Sequence, residues 1–174
     1  SRTLLAQLTR HRIASYSVQS LRYNNPFKGE ILKKQESGQL SDEELRYLEG
    51  FALAQSYSPQ KNDLYRYLIE KHNIQAVFPE SIPDICMASY LRGVFDGAGT
   101  CEEGLEFSIS FPMALSPVLD NTYFNITQED GKLLIKNEDA LNFALFIYEN
   151  LDFINSCYDE AKLSLLCKKS REFF

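Results

Sequence analysis

Apolar residues recur along this chain at two spacings, and the two spacings predict different elements. Helical spacing predicts helices at about 4–14, 42–55, 61–72, 84–96, 137–149 and 157–172. Alternation of apolar and polar residues predicts strands at 15–23 and 105–111, and apolar runs at 123–126 and 132–136 flank the turn dipeptide Asp130-Gly131. Ser41 and Glu44 form a capping box that begins the second helix. These patterns predict an α+β protein with an antiparallel sheet and flanking helices.

The bulk composition indicates one domain without a membrane span. A chain of 174 residues with 44% hydrophobic and 24% charged residues can bury one core. No apolar run reaches the roughly 18 residues that a span requires, and no signal peptide is recognisable. Four cysteines without CxxC spacing predict reduced thiols rather than a zinc site. We therefore expect an intracellular protein, cytoplasmic or organellar, without a membrane partner.

Charge divides the chain unevenly. Residues 1–34 contain seven lysines and arginines and one acid, a net +6, so an overall charge of −6 leaves −12 for residues 35–174. This asymmetry predicts either an anion-facing segment or a solvated basic surface at 1–34. Within the single domain we distinguish a basic N-terminal segment at 1–40, a helical segment at 41–77 and a third unit at 78–174. The predicted phosphate contacts are the basic side chains Arg10, Arg12, Arg22, Lys28, Lys33, Lys34, Lys132 and Lys136, with Lys168 and Lys169 beside them.

Residues 89–99 carry the most specific motif, Ser-Tyr-Leu-Arg-Gly-Val-Phe-Asp-Gly-Ala-Gly. The stretch resembles the signature of the LAGLIDADG homing endonucleases. Leu91, Gly93, Asp96 and Gly99 match the signature directly, and residues 94 and 95 are apolar where it is apolar. The resemblance covers about residues 78–171 and implies a LAGLIDADG-like fold, in which a motif helix feeds a sheet that lies on DNA.

The resemblance also implies a function, which the chain has lost in part. Family members are magnesium-dependent DNA endonucleases, hydrolases that recognise double-stranded DNA. The catalytic positions would be Asp96, Ala98 and, from an upstream copy of the motif, Gln55. Ala98 stands where the family has its metal-binding carboxylate, and a methyl group cannot bind a hard cation. The expectation is a DNA-binding pseudoenzyme that binds no magnesium, whether Ala98 arose naturally or by design.

Small residues in the motif predict close packing between helices. Gly93 and Gly97 form the expected interface, either with helix 42–55 of the same chain or with a second subunit. The protein would then be a pseudo-symmetric monomer or a homodimer. Residues 46–56 align with the motif as a degenerate copy, although residues 43–72 also suit a helix-turn-helix or two ordinary packed helices.

A second function from another class fits the acidic part of the chain. The −12 charge of residues 35–174 opposes DNA, because counterion release from phosphates supplies most of the affinity of DNA-binding proteins. The alternative is a repurposed domain that binds a protein partner as an interaction or regulatory module and has no nuclease activity.

Overall fold

A computed structural model describes residues 40–71, 73–120, 122–151 and 156–173. Their order is helix α1 (Asp42–Gln55), α2 (Asp63–Lys71), α3 (Met87–Ala98), strand β1 (Thr100–Cys101), β2 (Ser108–Pro112), the short helix α4 (Ser116–Leu119), β3 (Thr127–Glu129), β4 (Lys132–Lys136), α5 (Asn137–Ile147) and α6 (Glu160–Phe173). The predicted elements at 4–14 and 15–23 lie outside the described residues. The α+β class is confirmed.

Helix α1 begins where its capping box requires. The Glu44 amide donates to the Ser41 hydroxyl at 3.2 Å, and the hydroxyl donates to the Glu44 carboxylate at 3.0 Å. Three acids in the first turn suit the positive end of the helix dipole. The side chains of Tyr47, Leu48 and Phe51 are fully buried. The apolar spacing therefore predicted the helix correctly, while its buried face is centred on aromatic residues.

Helices α1 and α3 pack with their backbones in direct contact. A Cβ added to Gly50 would overlap the carbonyl oxygen of Tyr90, and one added to Gly93 would overlap the carbonyl oxygen of Tyr47. One turn further on, a Cβ on Gly97 would lie 2.8 Å from that of Ala54. The first two contacts are reciprocal, so the helices are related by an approximate two-fold axis. The motif helix thus has its partner in the same chain.

Four antiparallel strands in the order β1-β2-β4-β3 follow the helix pair. Ile109 lies opposite Ile135 and Phe111 opposite Leu133, and all four are buried against α3 and α5. The strands β3 and β4 are joined by Asp130-Gly131, with φ of 53° and 75°, as the turn dipeptide predicted. The sheet therefore covers one side of α3 and presents a polar face outward.

Some predicted boundaries were wrong for identifiable reasons. Strand β2 begins at Ser108 rather than 105, where Leu105 is 97% exposed. Helix α3 begins at Met87, because Pro83 introduces a separate 3₁₀ turn at Asp84–Cys86. The run 123–126 forms no strand, and Tyr123 is fully exposed.

Candidate functional site

The ends of α1 and α3 meet at a cleft of about 560 Å³. Gln55 is the last residue of α1 and Ala98 the last of α3, and both line the cleft. Its other walls come from residues 58–62, 110–112 and the start of α6. Because the peptide dipoles of a helix point their negative ends towards its C-terminus, two partial negative charges converge there. The structure thus brings the predicted residues Gln55, Asp96 and Ala98 to one place.

Asp96 lies at the floor of the cleft and is 3% exposed. Its Oδ2 accepts a hydrogen bond from the Tyr47 hydroxyl at 2.6 Å and one from the Asp159 amide at 2.7 Å. Its Oδ1 is buried without a hydrogen-bond partner. Burial, reinforced by the negative charge of Asp159, raises the pKa of Asp96 to about 7. The group can therefore hold or release a proton near neutral pH.

Lys162 neutralises the end of α3 from a neighbouring helix. Its Nζ donates to the carbonyl oxygens of Phe95 at 2.9 Å, Asp96 at 2.8 Å and Gly99 at 2.7 Å. An ammonium group has three donors, so all of them are engaged. Burial lowers the pKa of Lys162, and the nearby Asp96 and Asp159 oppose that shift. This lysine stabilises the helix end and has no free proton donor for a ligand.

Gln55 is engaged in structural hydrogen bonds. Its Nε2 donates to the carbonyl oxygens of Gly97 and, at 3.1 Å, of Gln60, and its Oε1 accepts from the Asn62 amide at 2.9 Å. These bonds join the ends of α1 and α3 to the loop that follows α1. Among the described residues, no three His, Cys, Asp or Glu side chains are placed to hold a metal ion.

The predicted phosphate contacts on the sheet are paired with acids. Lys132 lies 2.7 Å from Glu102, and Lys136 pairs with Glu129 and, at 3.6 Å, with Glu106. Lys169 at the edge of α6 lies 2.6 Å from Glu103, whereas Lys168 is exposed. The polar face of the sheet therefore lacks the excess of positive charge that DNA requires. The contacts predicted in the N-terminal segment, Arg10, Arg12, Arg22, Lys28, Lys33 and Lys34, lie outside the described residues.

Sequence reasoning missed three residues that organise the site, namely Tyr47, Asp159 and Lys162. Tyr47 stands in the upstream copy where Tyr90 stands in the motif, which is a signal that could have identified it. Lys162 lies 63 to 67 positions from the carbonyls that it contacts, so no local pattern could have revealed it. Arg92 was also overlooked, although it is 2% exposed and donates to the carbonyl oxygen at the end of α5, Ile147, at 2.7 Å.

Comparison with known families gives a result that the motif did not predict. A family model described as thymidylate synthase complementing protein matches residues 1–134. No curated protein and no solved structure gave a match. In the parts of the chain that the structure describes, no helix has both the length and the apolar character needed to cross a membrane.

The family match corrects the resemblance to LAGLIDADG endonucleases, which was wrong. The predicted functions that depended on this resemblance were wrong too. They are DNA recognition, endonuclease and hydrolase chemistry, and the alternative regulatory role. The physical reason lies in Gly93, Gly97 and the apolar positions around them. Any two helices that pack backbone to backbone need small residues at the contact and apolar residues beside it. The six positions of residues 89–99 that match the signature are therefore explained by close helix packing and do not indicate cleavage chemistry.

The expected cofactor was wrong as well. Proteins of the matched family depend on a flavin, whereas the LAGLIDADG resemblance implied a magnesium-dependent family and a chain that no longer binds the metal. The matched residues include the whole basic segment, helices α1 to α3 and the sheet as far as β4. Since the match spans 134 of the 174 residues, this chain belongs to the family of thymidylate synthase complementing proteins.

Proposed function

We propose that this protein takes part in thymidylate synthesis. The observation that supports the proposal is the family match over residues 1–134. The match extends from the basic segment through the helix pair to the sheet, so it does not depend on one short motif. It also agrees with a chain that is acidic overall, because a nucleotide is small and needs only a few cations rather than a basic groove.

Thymidylate is a nucleoside monophosphate, and its synthesis requires a site that accepts a phosphate dianion. Arginine suits such a site because its planar guanidinium donates two parallel hydrogen bonds to phosphate oxygens. The sequence concentrates basic residues at 1–34, within the matched span. We assign the substrate phosphate to this segment, with Arg10 and Arg12 as the first candidates. The segment was predicted from its charge to face an anion, and a nucleotide now replaces DNA as that anion.

Genetic complementation tests the proposed function directly. The chain, expressed in a bacterial strain that lacks thymidylate synthase, should allow growth without added thymidine. The double variant Arg10→Ala, Arg12→Ala should abolish growth, because two phosphate contacts are lost together. Lys168→Ala is the matched control, since it removes one exposed cation from the acidic part of the chain. Absence of growth with the wild-type chain, at normal expression and folding, would contradict the proposal.

A further inference from the structure

The cleft at the ends of α1 and α3 has the size of a cofactor site. Its volume of about 560 Å³ falls within the range of roughly 300–1,000 Å³ that is usual for small-molecule sites. A flavin nucleotide carries at least one phosphate group and a large flat aromatic ring. Size therefore does not decide whether the cleft holds the flavin of this family. Charge and the shape of the walls decide it.

The cations of the cleft are already engaged with internal partners. The described lining contains three lysines, which are Lys61, Lys132 and Lys162. Lys162 donates to three carbonyls, Lys132 lies 2.7 Å from Glu102, and Lys61 donates to the carbonyl oxygen of Gln55. A phosphate that approached Lys132 or Lys162 would compete with Glu102 or with the carbonyls at the end of α3, whereas Lys61, which is bonded only to a neutral carbonyl, keeps its positive charge. Breaking the Lys162 contacts would also leave the carbonyls at the end of α3 without a donor.

The remaining groups of the cleft repel a phosphate. Glu102 and Asp159 offset two of the three lysines, and Asp96, whose pKa is about 7, is about half ionised at neutral pH, so the side chains leave only a small net positive charge. The converging C-termini of α1 and α3 then add partial negative charge, equivalent to about half an elementary charge at each helix end. An anion is favoured at a helix N-terminus and disfavoured at this end.

The described walls also offer no exposed aromatic side chain on which a flavin ring could stack. Phe111 is the one aromatic residue in the described lining, and it is 1% exposed. Its ring packs edge-on against Phe95 and Phe143 inside the core. The rest of the described lining consists of prolines, Ala98, Leu165, polar loop residues and backbone, and it contains no other aromatic side chain. The residues that are present therefore do not fit a flavin nucleotide.

We infer that the cleft at the ends of α1 and α3 does not hold the flavin of this family and that it excludes flavin and nucleotide phosphates. The inference rests on the proposed function for its choice of ligand. Helices α1 and α3 direct the negative ends of their dipoles at the cleft. The lysines there bind carbonyl oxygens at these helix ends and the carboxylate of Glu102.

Titration of the full chain with flavin mononucleotide and with flavin adenine dinucleotide, followed by flavin fluorescence, tests the inference. The variant Thr100→Glu places a new carboxylate on an exposed position of the cleft wall. The matched control Thr127→Glu makes the same change at an exposed strand position outside the cleft. Thermal unfolding of both variants establishes that they are folded. Both should bind flavin within about twofold of the wild-type affinity.

The outcomes separate this inference from the proposed function. A loss of tenfold or more in flavin affinity for Thr100→Glu, absent from Thr127→Glu, would place the flavin in the cleft and overturn the inference while the proposed function stands. A wild-type chain that binds no flavin would support the exclusion of flavin from the cleft and count against the proposed function.

Discussion

Asp96 carries its charge in a place where charge is costly. One carboxylate oxygen is hydrogen-bonded to Tyr47 and Asp159, and the other has no partner. Lys162 lies close by, and its ammonium group is bonded to backbone carbonyls. The nearby positive charge only partly offsets burial, so the pKa of Asp96 is raised to about 7. At the scale of single residues, Asp96 and Lys162 therefore dominate the electrostatics of the cleft.

Stability should fall as pH rises through neutrality because of Asp96. Its pKa is about 7 in the folded protein and 3.8 in the unfolded chain, so the folded state binds the proton more tightly. The stabilisation is complete below the unfolded pKa and is lost as pH rises through about 7. Between pH 5 and pH 8 we expect a loss of roughly 2 kcal/mol from this group. Denaturant unfolding at both pH values measures it.

The variant Asp96→Asn is the control for that pH dependence. An amide keeps the size of the side chain and an acceptor for the Asp159 amide, but it has no proton to lose in this range. The difference in free energy of unfolding between pH 5 and pH 8 should therefore be smaller in the variant by the same amount. Identical pH profiles for the two proteins would show that Asp96 does not titrate in this window.

Replacing Lys162 by Met should destabilise the end of α3. The change removes three charge-assisted hydrogen bonds and leaves the carbonyls of Phe95, Asp96 and Gly99 to find water at the cleft floor. We expect a loss of about 2 kcal/mol or more in the free energy of unfolding. Lys168→Met, an exposed change on the same helix, should cost little. Equal free energies of unfolding for the two variants would mean that the contacts of Lys162 with the end of α3 do not stabilise the protein.

At the scale of elements, the contact between α1 and α3 determines how the cleft is built. The reciprocal contacts at Gly50 and Gly93 allow the backbones to touch, and both helices then end at the same place. The sheet and α5 cover one side of α3, so its side chains are buried almost throughout. A shift in the helix contact would therefore move both C-termini that form the cleft.

Alanine substitutions at the helix contact should show a graded effect. At Gly50 and Gly93 the added Cβ meets a backbone carbonyl that cannot move alone, and we expect a loss of about 3 kcal/mol or more. At Gly97 the added Cβ would lie 2.8 Å from the Ala54 Cβ and 3.0 Å from the Phe51 carbonyl oxygen, which is a lesser overlap, so the loss should be smaller. Urea unfolding of the three variants measures the series. A more severe loss at Gly97 than at Gly93 would refute this packing.

At the scale of the whole molecule, positive and negative charge are separated along the chain. Residues 1–34 carry +6 and the remainder −12, and the described lysines of the sheet are paired with acids. The division into segments at 1–40, 41–77 and 78–174 stays a prediction, and the family match crosses two of its boundaries. From this separation we expect anion binding in the basic segment, as the proposed function requires.

Binding of deoxyuridine or thymidine monophosphate should therefore weaken with salt and depend on the basic segment. The triple variant Arg10→Glu, Arg12→Glu, Arg22→Glu should lose at least tenfold in affinity at about 50 mM salt, where charge interactions are weakly screened. Lys168→Glu reverses a cation in the acidic part and should leave the affinity within about twofold. Calorimetric titration measures both. Equal losses of nucleotide affinity in the two variants would mean that the net charge of the protein, and not the basic segment, determines binding.

Local chemistry determined much of the secondary structure. The capping box of Ser41 and Glu44 began α1, and Asp130-Gly131 made the hairpin, because the atoms involved lie within a few residues of one another. The apolar run within Lys132–Lys136, directly after that turn, likewise predicted β4 with its correct ends. The α+β class followed from the spacing of apolar residues, because that spacing indicates which face of a helix or strand is buried.

The tertiary structure decided what those elements do. Tyr47 and Asp96 are 49 positions apart in sequence, and their hydrogen bond exists only because α1 and α3 pack together. The glycines of residues 89–99 could serve a close helix contact or a cleavage motif, and their chemistry is the same in either case. Whether Lys132 faces a phosphate or Glu102 depends on which strand folds beside it. Sequence specifies each side chain, but the partners that give it a role are assembled in space.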